Sequence, residues 1–379
     1  MSSNAIVIIG GGITGAAAAD ALARDGHGVT LLEKSHVAAM ASGRTLGGVR
    51  QSGRHPAELP LARAAVALWQ DLAERLEADV DYRQAGNLRL ARTPAEAEVI
   101  RGMVERQRAQ GLDLTFLTDN AAVRAIAPAL SQHVLAASHC ATDGHADPVK
   151  ATQAFVHSAR RHGATIREGV TVRSIEIAKD RVTGVTTSDG FVPAERVIVA
   201  AGVDSPALLA PLGLDLPLAV QMVSVVQSQP LAPVLGQVFG VANADCAGRQ
   251  EVGGSLRFTN GGSPAIAAVA APSGDAVRGL VVRVAHVLPA AATAKVARTW
   301  TGLIDLTPDA LPVIDAPACV AGLVVAAGFS GHGFCLGPVS GMLCADLAIG
   351  RPPRHDLAAF GLARLARAAA AAAGPSMHG

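Results

Sequence analysis

The stretch that most constrains this chain is residues 5–35, AIVIIGGGITGAAAADALARDGHGVTLLEKS. Residues 5–9 are a short apolar run of the kind that forms a strand buried on both faces. Gly10, Gly12 and Gly15 then fall on the spacing G-x-G-x-x-G, alanines from Ala16 to Ala23 continue as a helix, and Val29 to Leu32 form a second strand closed by Glu33. Each part has a physical reason. Gly10 makes the tight turn, Gly12 lets the backbone approach a pyrophosphate, and Gly15 lets the helix pack close to the strand. The helix start offers free N–H groups and its positive dipole end to phosphates. Glu33 stands where an acid accepts hydrogen bonds from a ribose, and an acid there disfavours a 2′-phosphate. The order predicts a dinucleotide-binding βαβ unit, and the motif alone does not separate FAD from NAD.

The 379 residues allow two domains or one large one, and half of them are apolar, so a sizeable core is available. A net charge of +1 without a dense basic block gives no electrostatic footprint for nucleic acid. The five cysteines, Cys140, Cys246, Cys319, Cys335 and Cys344, form no C-x-x-C pair, so neither a zinc nor an iron–sulfur site is expected. Their odd number and the lack of a secretory signal pattern point to a reducing cytoplasm. No apolar segment reads as a membrane span.

Further along, residues 39–56 read as a Gly-, Ser- and Arg-rich loop. Residues 58–78 read as an amphipathic helix carrying Leu61, Ala65, Leu68, Leu72 and Leu76 on one face. Residues 81–91 alternate like a strand pair and 94–110 read as a helix. Residues 141–190 give helix, strand, strand, turn and strand, and 196–209 a buried strand, a glycine turn and a helix start. Residues 216–290 read as mostly strand, including GLVVRVAHV, whereas AAATAKVARTW reads as a helix. Residues 322–350 are strand, glycine loop and helix, and the alanine-rich tail from Leu362 is a helix or a frayed end. The expected fold is α/β: a Rossmann-like FAD-binding domain (1–82, 145–215 and 300–379), interrupted by an α+β substrate-binding domain on a mainly antiparallel sheet (83–144 and 216–299).

The motif order IIGGGITG…LLEK, TDGHADP, VIVAAGVDSPAL, DLTPDALPVID and AAGFSGHGF resembles the FAD-dependent D-amino-acid and sarcosine oxidase family over most of the chain. Within it, GGVRQSGRHPAELPLA resembles the β subunits of heteromeric amine dehydrogenases, the group of proline and hydroxyproline dehydrogenases and heterotetrameric sarcosine oxidase. The resemblance implies FAD, a small amino-acid substrate and hydride transfer to flavin N5. It also implies an α subunit as partner, with FMN at the subunit interface as a further cofactor. By position, it assigns Gly10, Gly12, Ile13, Thr14, Gly15, Glu33, Lys34 and Ser42 to the ADP half, with Gly47 and Gly48 also at the cofactor. Val172 would meet the adenine through its backbone, and Ala201 and Gly202 would pass beside the dinucleotide. Gly331, His332, Gly333, Phe334 and Cys335 would lie along the isoalloxazine ring. Backbone N–H groups there, with the helix expected from about Gly337, would stabilise the negative edge of a reduced flavin. His332 either adds a ring donor or is a packed histidine whose backbone does the work.

Amino-acid substrates bring a carboxylate, for which arginine is the natural partner. Arg50 is the first candidate and Arg54 the second; Arg44, nearer the ADP end, is a cofactor or surface residue. Three departures from the family pattern matter. Cys335 stands where the sarcosine-oxidising monomers carry a carboxylate-binding lysine. The segment before Thr307-Pro308-Asp309 has no cysteine to attach flavin, so FAD is expected to be non-covalent. No lysine occurs between Lys179 and Lys295, which favours a dehydrogenase over an oxidase that activates oxygen through lysine. His145 either carries FMN or orders the turn before Pro148, with Asp147 an N-cap. Tyr82 faces substrate or belongs to the core. Three readings follow: a catalytic β subunit, a stand-alone glycine or D-amino-acid oxidase releasing hydrogen peroxide, and a flavin relay subunit without turnover.

Overall fold

The computed structural model describes residues 5–265 and 271–365. Strand β1 (Ile6–Ile9) sits at the centre of a six-stranded sheet. Its side chains alternate between two cores. Ile6 and Ile8 pack under helix α1 (Ile13–Arg24), while Val7 and Ile9 face the opposite side. Strand β2 (Val29–Glu33) and the strands Thr165–Glu168, Arg196–Val199 and Leu323–Ala327 run parallel with it; Val313–Asp315 closes one edge antiparallel. Parallel register brings the loops at 10–12, 200–202 and 328–332 out at one end of the sheet, the edge at which open α/β folds bind ligands.

Two helices carry backbone starts to that edge. One is α1; the other is Gly333–Ala348. They pack face to face through small residues, Ala17 and Ala18 against Gly341. A Cβ at Gly341 would lie 2.6 Å from Ala17 Cβ and from Ala18 N, so nothing larger than hydrogen fits. At Gly15, a Cβ would overlap the Gly10 carbonyl oxygen, which explains the third glycine of the opening motif.

The second layer is a nine-stranded sheet among the described residues. Its longest pairing lies at one edge and is antiparallel, Ala219–Pro230 with Val296–Leu306. Strands Ser255–Asn260, Cys246–Gln250 and Val238–Val241 extend it to β4 (Asn87–Ala91), with Ala136–Cys140 and Thr115–Leu117 beyond. In chain order, helix α2 (Ala41–Arg44), strand β3 (Gly48–Val49) and helix α3 (Leu59–Gln70) lie between β2 and β4. The loop expected at 39–56 thus contains a helical turn and a short strand, β3, paired with Gly144–His145.

Four expectations are corrected. GLVVRVAHV is the end of a helix, Gly274–Val287, not a strand. Its β-branched run hides a helical stripe, Leu280, Val284 and Val287, and Ser273 caps its start by accepting from Ala276 N. AAATAKVARTW is not a helix: after a short turn at Pro289–Ala292, the chain enters the strand Val296–Leu306. Pairing along Ala219–Pro230 overrides the alanine propensity there. The helix at 58–78 breaks at Asp71 into α3 and Leu72–Leu76, and Leu68 is only half-buried. The strand pair at 81–91 is a single strand, β4, with Arg83 bridging to His145. In the tail, Leu362 and Leu365 are buried, and 366–379 lie outside the described residues.

Replacing Gly341 with Ala should force α1 and the 333–348 helix apart and destabilise the protein by about 1–3 kcal/mol, the usual cost of overpacking. Denaturant midpoints of the two proteins check this; an unchanged midpoint would mean that the helix pair has slack.

Candidate functional site

A cleft of about 300 Å³ runs between the two layers. Its lining includes Gly12, Ile13, Thr14 and Ser42, then Gly331, His332, Gly333 and Phe334, with Gly48 and Gly202. Each of the first two groups lies at a helix N-terminus. Gly12 is the N-cap of α1 and His332 that of the 333–348 helix, and neither has a side-chain capping bond. Both therefore turn a positive dipole end to the cleft. The second helix begins at Gly333, a turn earlier than its expected start, so Gly333 and Phe334 already belong to it.

Around α1 the loops are fixed by specific bonds. Ser42 Oγ accepts from Ile13 N at 2.9 Å. Glu33 Oε2 accepts from Gly11 N at 2.7 Å and Oε1 from Ser35 N at 2.8 Å, and each oxygen retains a lone pair for a hydroxyl. Lys34 is exposed and pairs with Asp204 at 2.6 Å. Gly10 and Gly15 pack behind the cleft rather than lining it. Gly47 has φ +77° and backs onto Ala146 O; Ala201 is half-buried beside Gly202; Val172 opens a strand through its pairing with Thr187. None of Gly47, Ala201 and Val172 is a wall of the cleft. Cys335 also faces away: it is buried, and its Sγ donates to Arg50 O at 3.4 Å. Burial pushes that thiol up to about 11, and it stays protonated.

The segment after β3 is held rigidly. Asp143 accepts from Gln51 N at 2.7 Å, from Ser52 Oγ at 2.5 Å and from Ser52 N at 3.3 Å. Gln107 ties both ends of Gly53-Arg54, accepting from Gly53 N and donating to Arg54 O. Arg50 Nη1 donates to Ser52 O at 2.9 Å. Arg54 Nε and Nη2 both donate to Arg50 O, at 3.2 and 3.0 Å. The remaining edge of Arg54, Nη1, is buried in the cleft wall with no partner. A fixed guanidinium with one open edge suits an incoming carboxylate.

Three charged residues of this region were not singled out by sequence reasoning. Glu58, at the start of α3, accepts from His332 Nδ1 at 2.9 Å, and both are buried. Burial works to raise the Glu58 carboxyl, but His332 and Arg54 hold it well below its usual range. Burial, with Arg54 nearby, pushes the His332 imidazole down, so the ring is neutral. A neutral ring that donates through Nδ1 offers Nε2 as an acceptor. His332 thus lines the cleft with its Nδ1 engaged by Glu58. Arg89, on β4, lines the cleft. So does Asp305, whose Oδ2 accepts from Gly328 N at 2.7 Å and whose carboxyl burial pushes up to about 6. The spacing Arg54-x-x-x-Glu58 at a helix start and the arginine within the apolar strand NLRLA were the available signals.

Other candidates fall outside the cleft. His145 is buried in its two-strand ribbon with Nδ1 2.7 Å from Arg249 Nη1; burial and Arg249 lower it to about 3. Asp147 caps the helix Pro148–Arg161, accepting from Val149 N and Lys150 N. Tyr82 packs on Trp69, ring centroids 6.0 Å apart. Asp309 is tied to Arg364 at 2.8 Å in a turn, with Leu311 N donating to its Oδ1. No cluster of metal-ligating side chains occurs among the described residues, and no helix among them is long and apolar enough to cross a membrane.

A parallel sheet with a glycine-rich βαβ start, two helix N-termini on one cleft and a buried arginine in its wall define a dinucleotide-dependent oxidoreductase. The particular family follows from comparison: residues 5–347 match the DAO model, FAD dependent oxidoreductase, and the chain belongs to that family. It is 29% identical over 368 residues to a glycine oxidase of Geobacillus kaustophilus (strain HTA426), covering 95% of this chain and 96% of that protein. It is 28% identical over 380 residues to a sarcosine oxidase subunit beta of Rhizobium meliloti (strain 1021), covering 96% and 88%. The crystal structure of an L-proline dehydrogenase from P. horikoshii superimposes with a TM-score of 0.88 at 26% identity, covering 96% of this chain and 98% of that one. The chain is an FAD-dependent amino-acid or amine oxidoreductase.

The buried, neutral His145 predicts a pH effect. An imidazole with a folded pKa near 3 and an unfolded value near 6.5 favours folding at neutral pH, and that contribution is lost as pH falls below 6.5, because the unfolded chain takes up the proton first. Between pH 7 and 5 the parent should lose about 2 kcal/mol more stability than His145→Gln. Urea unfolding at the two pH values checks this; equal losses would show that His145 is not held neutral.

Proposed function

We propose that this chain is the catalytic β subunit of a heteromeric flavin dehydrogenase that oxidises the C–N bond of a small amino acid, of the proline, hydroxyproline or N-alkyl amino-acid class. The observation that carries the reading is the open Nη1 edge of Arg54, buried in the wall of the cleft. The sarcosine oxidase β subunit and proline dehydrogenase relatives support it.

The residues present fit FAD. The start of α1 suits the pyrophosphate, Glu33 a ribose, and the 331–334 backbone the flavin edge that becomes negative on reduction. Ser42 fills the space a side chain at Gly12 would need, leaving bare backbone there. When bound, FAD supplies the two-electron acceptor that takes hydride from the substrate. The chain's own residues do the rest. Arg54 grips the substrate carboxylate and fixes the direction of its Cα–H. Arg50 supports Arg54 through its carbonyl, which accepts from Arg54 Nε and Nη2. The neutral His332 Nε2 accepts a hydrogen bond from the substrate amine, which must be uncharged to release hydride. Orientation and a desolvated site are what this scheme requires.

We further propose that FAD is dissociable, since Gly302, Leu303 and Ile304 line the cleft before Thr307-Pro308-Asp309 without a cysteine. The two-part division with boundaries at 82, 144, 215 and 299 is supported by the membership of the two sheets, although the strand Val296–Leu306 runs past the last boundary. An α subunit as partner, interfacial FMN and a cytoplasmic location complete the proposal. The glycine oxidase relative favours a second reading, a stand-alone oxidase.

The test is the visible spectrum of the purified holoprotein without oxygen, with proline enantiomers, 4-hydroxyproline isomers, sarcosine and D-alanine added in turn. The proposal expects bleaching by a secondary amine, slow recovery in air and fast recovery with an artificial electron acceptor. Rapid recovery in air with stoichiometric peroxide would establish the oxidase instead. A flavin that no amine bleaches would overturn both.

A further inference from the structure

The loop that leads into the 333–348 helix is tied to one residue of the second layer. Within residues 328–331, Gly328, Ser330 and Gly331 all have positive φ, at +69°, +51° and +85°. Ser330 is the costly one, because a residue with a side chain rarely adopts that backbone. A turn of this kind keeps its shape only where its surroundings fix it. Asp305, on the strand Val296–Leu306, does so with both its parts. Its backbone carbonyl accepts from Ser330 N at 2.9 Å, and its Oδ2 accepts from Gly328 N at 2.7 Å. The two bonds grip the turn on either side of Phe329. Leu306 bridges to Phe329, and Thr307 N donates to Ser330 Oγ at 3.3 Å. Phe329 O in turn accepts from His332 N at 2.8 Å, so the grip is passed on to the start of the helix.

Asp305 is also the only acid that lines the cleft among the described residues. Burial pushes its carboxyl up to about 6, while the N–H groups of Gly328, Phe329 and Asp305 itself pull it down. The strand paired with it, Ala219–Pro230, carries no ionisable side chain. Arg44, on α2, bonds Thr301 O of Asp305's own strand. Asp204, on the turn Gly202–Asp204 packed against that strand, is paired with Lys34. Asp309 is tied to Arg364, and His332 is neutral with Nδ1 on Glu58. Arg50, Arg54 and Arg89 also line the cleft, but they do not figure among the groups that shift Asp305. A buried carboxylate held by backbone bonds is costly to ionise. An amide would accept the same bond from Gly328 N without that cost.

We propose that Asp305 is a positioning residue for the flavin: by holding the 328–330 turn it fixes the 331–334 backbone against the ring edge that becomes negative on reduction, and its ionisation changes how easily the flavin is reduced. The carboxylate and the neutral carboxyl differ in charge and in the strength of the bond to Gly328 N. The loop, which lines the cleft, therefore responds to the state of a side chain on the other layer. The role runs through the loop; Asp305 takes no proton from the substrate. This inference rests on the flavin reading of residues 331–334 and is independent of which amine is oxidised.

The experiment is a dye-coupled redox titration of the holoprotein at saturating FAD, without substrate, across about pH 5–8. Asp305→Asn keeps an acceptor for Gly328 N; Asp305→Ala and Asp305→Leu do not. At each pH the midpoint potential of the Ala and Leu variants should lie below that of Asn. The expected gap corresponds to a loss of roughly tenfold or more in preference for reduced over oxidised FAD, the scale of one charge-assisted bond. The parent should also part from Asn as pH rises through the range in which the carboxyl ionises. A merely structural role would lower stability and leave both comparisons flat. Equal potentials in Asn, Ala and Leu, or a difference between parent and Asn that is constant with pH, overturn the inference. Should Ala and Leu fail to hold FAD, the comparison of parent with Asn decides alone. Because no amine enters the titration, its outcome is separate from the bleaching test of the proposed oxidation.

Discussion

The structure depends on the contact between two helices that meet through glycine and alanine. Gly341 lies against Ala17 and Ala18 so closely that a single methyl group would not fit. That contact sets where both helices begin, and both starts line the cleft. An anionic dinucleotide can lie along such a site because each start offers backbone donors and a favourable dipole. A bulkier helix pair would spread the two starts apart. The alanine and glycine content of both segments is therefore a requirement of the site as well as of the core.

The substrate end is governed by a different device. Five residues after β3 are fixed by Asp143, by Gln107 and by the carbonyl of Arg50, so Arg54 is aimed before any ligand arrives. The same segment leads into α3, where Glu58 pairs with Nδ1 of His332 at the start of the 333–348 helix. A loop and two helix starts are thus coupled by buried polar bonds. Such bonds are strong in a low-dielectric interior and costly when half-made. The preorganisation they give is what a hydride transfer without a side-chain base requires.

Much of this was legible in the sequence where local chemistry dictates local structure. The βαβ start, the helix at 148–161 with its Asp147 cap, and the glycine loop before Phe334 are all local patterns. Reading failed where long-range pairing decides. The segment 296–306 is a strand because a partner about eighty residues away accepts it, and 279–287 is a helix whose Leu280, Val284 and Val287 are buried on one stripe. The site divides in the same way. Gly12, Ser42, Arg54 and His332 sit in recognisable motifs, whereas Arg89 and Asp305 reach the cleft only through sheet assembly. The polarity of His332 needed Glu58, which lies 274 residues away in the chain.

The central claim is that the open edge of Arg54 anchors the substrate carboxylate. The most direct measurement is the dissociation constant of acetate, followed by the flavin spectrum, in the parent protein and in Arg54→Met at equal FAD occupancy. Loss of a buried charge-assisted bond of about 1.5–3 kcal/mol predicts binding weakened by about 10- to 150-fold. Unchanged acetate affinity in Arg54→Met would contradict the account.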